Sequence, residues 1–234
     1  MNTEALLQTR VGELVAQDYR FAHVFSRFGI DFCCGGGRTL WEACERAKAD
    51  TTAVVDAMKH SAAEGEPDAL LAELPLPQLI DYIEATHHSY VRATAPLLLE
   101  YAAKMVRAHG DSHAEIKPLA GWIQALVEDL LPHLMKEEQI LFPAIRAMAG
   151  GEQVSGCFGH IGNPIRAMEY EHDEAGTILK RLRELTQDYQ PPAHACTTWR
   201  ICYQTLAEFE ADLHRHIHLE NNLLFPKTLK LTQG

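Results

Sequence analysis

The sequence has no uninterrupted apolar run of the length that a membrane span requires. A transmembrane helix needs about 18 or more consecutive apolar residues, so we expect no membrane partner. The amino-terminal segment is acidic and amphipathic, without the basic and apolar regions of a secretory signal. We therefore expect a cytoplasmic protein.

Basic residues are also scarce, since 21 lysines and arginines face 32 aspartates and glutamates, for a formal net charge of −11. Nucleic acid binding depends on lysines and arginines that displace counterions, and no basic stripe is present, so we expect no nucleic acid partner. The few cysteines are scattered through a chain large enough to fold without cross-links, which is typical of reduced thiols. They are Cys33, Cys34, Cys44, Cys157, Cys196 and Cys202.

Alternating patterns typical of β-strands are almost absent, and long helical patterns dominate, so the sequence predicts an all-α fold. Residues 1–62 indicate a small helical amino-terminal domain around the irregular loop 29–37, where three consecutive glycines disfavour helix. Residues 63–77 read as a linker. Residues 78–234 predict an antiparallel four-helix bundle, with helices at about 78–108, 114–148, 164–189 and 197–229.

An internal repeat carries the chemistry. His133 to Pro143 and His216 to Pro226 both read His-x3-Glu-x3-Leu-Phe-Pro. One further histidine precedes each copy at nearly the same spacing, His88 by 45 residues and His172 by 44. The bundle therefore looks like two helical hairpins, each offering one histidine and one His/Glu pair.

Residues four apart lie on one face of a helix, so His133 with Glu137, and His216 with Glu220, can each bind one ion together. The second oxygen of each glutamate can reach another ion. A lone His-x3-Glu is usually an exposed polar pair, but two copies with matching upstream histidines indicate a metal centre. Imidazole with carboxylate is typical of non-haem iron, with manganese and zinc as poorer fits. We expect two iron ions joined by an oxo or hydroxo bridge.

The first histidine is ambiguous, because His87 and His88 are about 100° apart on an α-helix and only one should face the interior. Apolar periodicity favours His87, whereas the repeat spacing selects His88, which we take as the ligand. Neither His214 nor His218 is followed by a carboxylate four residues later, so we expect them to be exposed or beside the site. The remaining histidines lack partner spacing and are expected at the surface: His23, His60, His109, His113, His160 and His194.

These motifs resemble the hemerythrin-like superfamily and, more narrowly, the Repair of Iron Centres (RIC, ScdA-type) di-iron proteins. The resemblance covers nearly the whole chain and includes Asp31-Phe-Cys-Cys-Gly-Gly36, Glu171-His-Asp-Glu-Ala-Gly176 and Ala195-Cys-Thr-Thr-Trp199. It implies a small helical domain followed by a hemerythrin-like bundle. Its implied iron ligands are His88, His133, His172 and His216, with Glu137 and Glu220 bridging.

The resemblance further implies a protein that is induced by nitric oxide or oxidative stress and restores damaged iron–sulfur clusters. We expect it to supply iron or remove nitrosyl groups, with damaged iron–sulfur proteins as partners and nitric oxide or oxygen as small ligands. Cys33 and Cys34 match the family's paired cysteines, and they either hand over iron as thiolates or simply pack the small domain.

Two other functions fit the same site: an enzyme that binds or reduces nitric oxide, or an oxygen or redox sensor. No nucleophile motif suggests a conventional enzyme, and no catalytic residue is assigned. The sequence leaves open the client proteins, the electron donor, monomer or homodimer, and the roles of the other four cysteines.

Overall fold

A computed structural model describes residues 3–62, 70–152, 154 and 158–232. Those residues are largely helical and contain no β-strand, which confirms the predicted all-α fold. Among them, no helix is both long and apolar enough to cross a membrane. Most of the predicted linker, residues 63–69, and Cys157 lie outside the described residues.

The described residues form two compact units. The first unit is drawn from Met1–Ile80, Met148–Glu152 and Arg215–Gly234, and the second from Asp81–Ala147 and Gln153–His214. The division falls between His214 and Arg215, ahead of the second copy of the repeat, so each unit contains one copy.

The first unit contains a group of short amino-terminal helices. They are α1 (Thr3–Gln8), α2 (Val11–Gln17), α3 (Arg20–Arg27), α4 (Leu40–Ala47), α5 (Thr51–Ala62) and α6 (Leu70–Glu73). Thr39 and Glu42 begin α4 with a reciprocal capping box, in which each side chain accepts a hydrogen bond from the backbone N–H of the other. The loop between α3 and α4 holds the paired cysteines.

Four long helical segments follow, and three of them contain a π-helical stretch. They are α7 (Leu76–Ile83), π1 (Glu84–His88) and α8 (Ser89–His109); α9 (Ile116–Lys136), π2 (Glu137–Leu141) and α10 (Phe142–Ala149); α11 (Gly162–Thr186); and α12 (Thr197–Leu219), π3 (Glu220–Leu224) and α13 (Phe225–Lys230). In the second unit, α9 packs against both α8 and α11.

The third segment ends three residues earlier than we expected, at Thr186 rather than near Tyr189. Gln187, Asp188 and Tyr189 all have positive φ angles, between 51° and 58°, and such left-handed conformations end a right-handed helix. The Thr186 hydroxyl supports this turn, because it accepts a hydrogen bond from the Tyr189 N–H at 3.0 Å.

The two copies of the repeat share the same local distortion. The Phe142 N–H donates to the carbonyl of Glu137, five residues back, and the Phe225 N–H donates to that of Glu220. A proline follows each phenylalanine, and a proline has no N–H and its ring crowds the carbonyl four residues earlier. A π-helical turn, which pairs residues five apart, accommodates it. The shared Leu-Phe-Pro thus explains why both glutamates begin a widened turn.

Candidate metal centre

Four predicted ligands converge in the core of the second unit: His88, His133, Glu137 and His172. Each is at most 3% exposed. Oε2 of Glu137 lies 3.5 Å from Nε2 of His88 and 3.4 Å from Nε2 of His133. Nε2 of His133 lies 3.2 Å from Nε2 of His172. Three imidazoles and one carboxylate therefore aim their donor atoms at the same small volume.

The Glu137 carboxylate has the environment of a metal ligand. Both of its oxygens are buried without a hydrogen-bond partner among the described residues. An unpaired buried charge is strongly unfavourable, and the imidazole nitrogens are too distant for the 2.7–2.9 Å of a charge-assisted hydrogen bond. Two donors that bind one ion at about 2.1 Å lie about 3.0–3.4 Å apart, which is close to the observed separations. The residues present therefore fit a metal ion.

Outer carboxylates orient two of these imidazoles. Nδ1 of His88 lies 2.7 Å from Oε1 of Glu138, and Nδ1 of His133 lies 2.8 Å from Oε2 of Glu171. An ionised carboxylate only accepts hydrogen bonds, so Nδ1 carries the proton and the Nε2 lone pair faces Glu137. Such carboxylate–imidazole pairs commonly fix metal-binding histidines.

Both outer carboxylates are held ionised. The hydrogen bond from His133 lowers the pKa of Glu171 to about 2, with a further contribution from Lys136. Burial opposes the ionisation of Glu138, but its hydrogen bonds with Arg92 and His88 outweigh burial and lower its pKa. Neither glutamate was assigned a role from the sequence. Their only signal was position, since each directly adjoins a predicted ligand.

The first unit holds the second His/Glu pair. His216 and Glu220 are fully buried, and Nε2 of His216 lies 3.0 Å from Oε1 of Glu220. The i, i+4 spacing on α12 and π3 brings the two side chains together as predicted. This pair is a second buried imidazole–carboxylate arrangement that suits a metal ion.

His87 and His88 are both 1% exposed, so the expectation that only one could be buried is wrong. Both histidines lie in π1, whose wider turn changes the angle between neighbouring side chains. Their contacts differ, because Nδ1 of His87 lies 2.8 Å from Oδ1 of Asp212, whereas His88 faces Glu137. The geometry therefore favours His88 as the ligand.

His218 is only 1% exposed, so the alternative of an exposed side chain is wrong for it. Its ring lies against those of Tyr19 and Phe32, with centroids 6.1 Å and 6.2 Å away. Burial, together with the charge of Arg215, lowers the pKa of His218 to about 3, which keeps the ring neutral at physiological pH. His214 is partly exposed.

Three histidines that were expected at the surface gather around the buried Trp199. The ring centroids of His109, His113 and His194 lie 5.4, 5.1 and 5.9 Å from that of Trp199. Nε2 of His109 also lies 3.3 Å from Sγ of Cys196. His109 and His113 are half-buried. His194 is exposed as expected, as are His23, His60 and His160.

The paired cysteines lie in a tight loop of the first unit. Oδ1 of Asp31 accepts hydrogen bonds from the backbone N–H groups of Cys33 at 3.1 Å and Cys34 at 3.0 Å. The two sulfurs are 3.9 Å apart, and the described cysteines are all thiols. Asp31, Cys33 and Cys34 each place one donor atom within 4.8 Å of the others, so they could hold a cation. The hydrogen bond with Cys34 and burial raise the pKa of Cys33 well above its ordinary value.

Comparison with known proteins identifies the class. Residues 78–228 match the family model of the hemerythrin HHE cation-binding domain. Residues 7–62 match a second model, ScdA_N, which is described as a domain of unknown function (DUF542). An all-α protein with buried histidine and glutamate clusters and this domain is a hemerythrin-type cation-binding protein, and the domain implies a non-haem iron site.

Relatives that match nearly the whole chain identify the family more specifically. The chain is 40% identical over 220 residues to the iron–sulfur cluster repair protein YtfE of Musicola paradisiaca strain Ech703, and the match covers 94% of this chain and 96% of the relative. It is 38% identical to YtfE of Escherichia coli O81 strain ED1a, with the same coverage. It is 34% identical to the repair protein ScdA of Staphylococcus haemolyticus strain JCSC1435, over 93% of this chain and 96% of the relative. The chain therefore belongs to the family of YtfE and ScdA iron–sulfur cluster repair proteins, which confirms the resemblance.

Proposed function

We propose that this protein repairs iron–sulfur clusters damaged by nitric oxide or oxidative stress, and that it does so by supplying iron from a di-iron site. Family membership supports the repair function. The observation that carries the metal assignment is Glu137, whose two buried oxygens have no hydrogen-bond partner among the described residues and whose Oε2 lies 3.5 Å and 3.4 Å from imidazole nitrogens of His88 and His133.

The proposed ligands come from both copies of the repeat. The imidazoles of His88, His133, His172 and His216 and the carboxylates of Glu137 and Glu220 would hold two iron ions. The repeat supports this assignment, because each hairpin offers the same donors and both glutamates begin a π-helical turn. The cytoplasm, where thiols remain reduced, is the proposed location.

Bound iron would supply the ferrous ions that a damaged cluster has lost. The protein's own residues hold these ions and then let them leave. Glu138 and Glu171 keep the imidazoles of His88 and His133 aimed inward, so these two ligands stay oriented after release. Glu137 is then left buried and unpaired, which favours uptake of fresh iron.

Anaerobic repair assays test this function. Iron-loaded protein is mixed with an apo-cluster protein or with a nitrosylated cluster protein, in the presence of a ferrous chelator, and cluster recovery is compared with that given by free ferrous iron. We expect about two irons per chain and recovery despite the chelator. Recovery no better than with free iron would contradict iron supply, and recovery of nitrosylated clusters alone would indicate nitrosyl removal.

Matched variants link repair to the site. Glu137→Gln removes the central carboxylate, whereas Glu128→Gln removes an exposed carboxylate from α9. We expect the first to lose iron and repair, and the second to keep both. Nitrous oxide formed from nitric oxide in place of repair would instead indicate a nitric oxide reductase.

We further propose that the paired cysteines hand iron to the client. Asp31, Cys33 and Cys34 form a compact donor group, and thiolates are soft ligands that suit transient iron binding. The double substitution Cys33→Ala, Cys34→Ala should leave iron content unchanged and slow repair. Cys196→Ala removes a partly exposed thiol in the second unit and serves as the control. Normal repair by the double variant would exclude the handover.

A further inference from the structure

The two copies of the repeat have different surroundings although their ligand spacing is the same. Met135 is 48% exposed, whereas its counterpart His218 is 1% exposed. Gln139, the third residue of π2, is exposed, whereas its counterpart Asn222 in π3 is half-buried. The second copy is therefore covered on a side where the first copy is open.

Asn222 contacts the loop that carries the paired cysteines. Its Nδ2 donates to the carbonyl oxygens of Phe32 at 3.4 Å and Cys33 at 3.3 Å, and it lies 3.2 Å from Nδ1 of His218. A single amide thus links a turn that begins at Glu220 to the backbone beside the thiols. The turn that begins at Glu220 and the loop that carries the cysteines both lie in the first unit.

Two glycines make room for this amide. A Cβ atom on Gly12 would lie 2.1 Å from Oδ1 of Asn222, and one on Gly36 would lie 2.5 Å from the same oxygen. Gly12 lies inside α2, where glycine is normally disfavoured, and its N–H donates to the Gly36 carbonyl at 2.8 Å. The close approach of Asn222 therefore explains an otherwise unfavourable residue in this helix.

The accessibility of the thiols depends on how firmly this loop is held in place. Cys33 is 6% exposed, so a reagent or a client can reach its sulfur only when the loop opens. Asn222 is two residues from Glu220 and within the same five-residue turn. A restraint on the Glu220 side chain consequently restrains the backbone that carries Asn222.

We propose that Asn222 is a positioning residue that couples iron at Glu220 to the accessibility of the Cys33–Cys34 loop. With iron bound, Glu220 and its turn are fixed and the amide holds the loop closed. When iron leaves, the turn relaxes and Cys33 becomes accessible. This inference rests on the proposed function, because it requires Glu220 to be an iron ligand.

The experiment measures how fast iodoacetamide alkylates Cys33 in the full-length protein, with and without iron, under anaerobic conditions. Peptide mass spectrometry reports each cysteine separately. In the unmodified sequence we expect iron to slow alkylation of Cys33 about tenfold, because it suppresses loop opening. Asn222→Asp keeps the side-chain shape but removes both donated hydrogen bonds, so its Cys33 should react rapidly in both states.

Gln139→Glu makes the same amide-to-acid change at the equivalent exposed position and is the matched control. It should retain the tenfold effect of iron. Asn222→Ala is the second variant, and it should behave like Asn222→Asp without adding a charge. A merely structural asparagine would change the stability of the unit without changing how Cys33 reactivity depends on iron.

A measurement of iron content distinguishes failure of the proposed function from failure of the coupling through Asn222. Failure of the unmodified protein to bind iron would overturn the proposed function. Normal iron content, together with a tenfold iron effect that survives in both Asn222 variants, would overturn the coupling alone. Equal Cys33 rates with and without iron in the unmodified protein would also overturn it.

Discussion

Replacing Glu137 by glutamine removes one buried negative charge and hardly changes the size of the side chain. Both carboxylate oxygens of Glu137 are buried without a hydrogen-bond partner among the described residues. A glutamine amide could instead donate to the lone pairs of the His88 or His133 imidazoles, whose Nε2 atoms lie 3.5 Å and 3.4 Å from Oε2. The iron-free variant should therefore be more stable than the iron-free original.

The expected gain follows from the cost of an unsatisfied buried group, which is about 1–3 kcal/mol and larger for a charge. For a chain of this size each kcal/mol moves the unfolding midpoint by about 2–4 °C, so the midpoint should rise by about 2–12 °C. In iron-loaded protein the expected change in the unfolding midpoint has the opposite sign. The variant loses a charged ligand and with it much of the stabilisation that bound iron confers.

Thermal unfolding followed by circular dichroism, on chelator-treated and iron-loaded samples, measures both effects. Glu128→Gln, on the exposed face of α9, should change stability by no more than about 0.5 kcal/mol in either state. A lower midpoint for the iron-free Glu137→Gln variant would refute the reasoning, because it would mean that the carboxylate has stabilising partners without a metal.

Three other outcomes are expected. Glu171→Gln should weaken iron binding about 10- to 100-fold in a chelator competition, because the His133 ring loses its ionised partner; unchanged affinity would contradict this. Gly12→Ala should destabilise the protein by about 1–3 kcal/mol in thermal unfolding, because its Cβ would overlap the asparagine side chain of π3. Gly121→Ala in α9, with nothing within 4 Å, should not destabilise it. Cys202, whose pKa burial raises to about 12, should not react with thiol reagents at pH 8 until the protein unfolds, and rapid labelling of folded protein would show that this thiol is accessible.

The sequence predicted the ligand pairs because they obey a simple rule. Residues four apart share a helical face, so His133 with Glu137, and His216 with Glu220, could be recognised without coordinates. The second copy of the His-x3-Glu motif distinguished these pairs from ordinary surface pairs. All four side chains are buried in the structure.

Other features depend on contacts between distant parts of the chain. Glu138 and Glu171 orient histidines on neighbouring helices, and no spacing within one helix reveals that pairing. Burial of both His87 and His88 contradicted an argument that assumed a regular α-helix. The role of Asn222 depends on a loop nearly 190 residues earlier in the chain. Local periodicity carries no information on such partners.

The π-helical turns have a further consequence for how the protein tolerates insertions and deletions. A widened turn holds one residue more than a regular α-helical turn, so deleting one residue from 138–141 would restore ideal helical phase instead of disrupting it. The helical segments on the two sides of the deletion would keep nearly the same relative rotation, because five residues of a π-helical turn and four residues of an α-helix each complete about one turn. Glu137 and the buried Phe142 would therefore both still face inward. A shortened helix of this kind would be more regular and would keep the alignment between its carboxylate and its core.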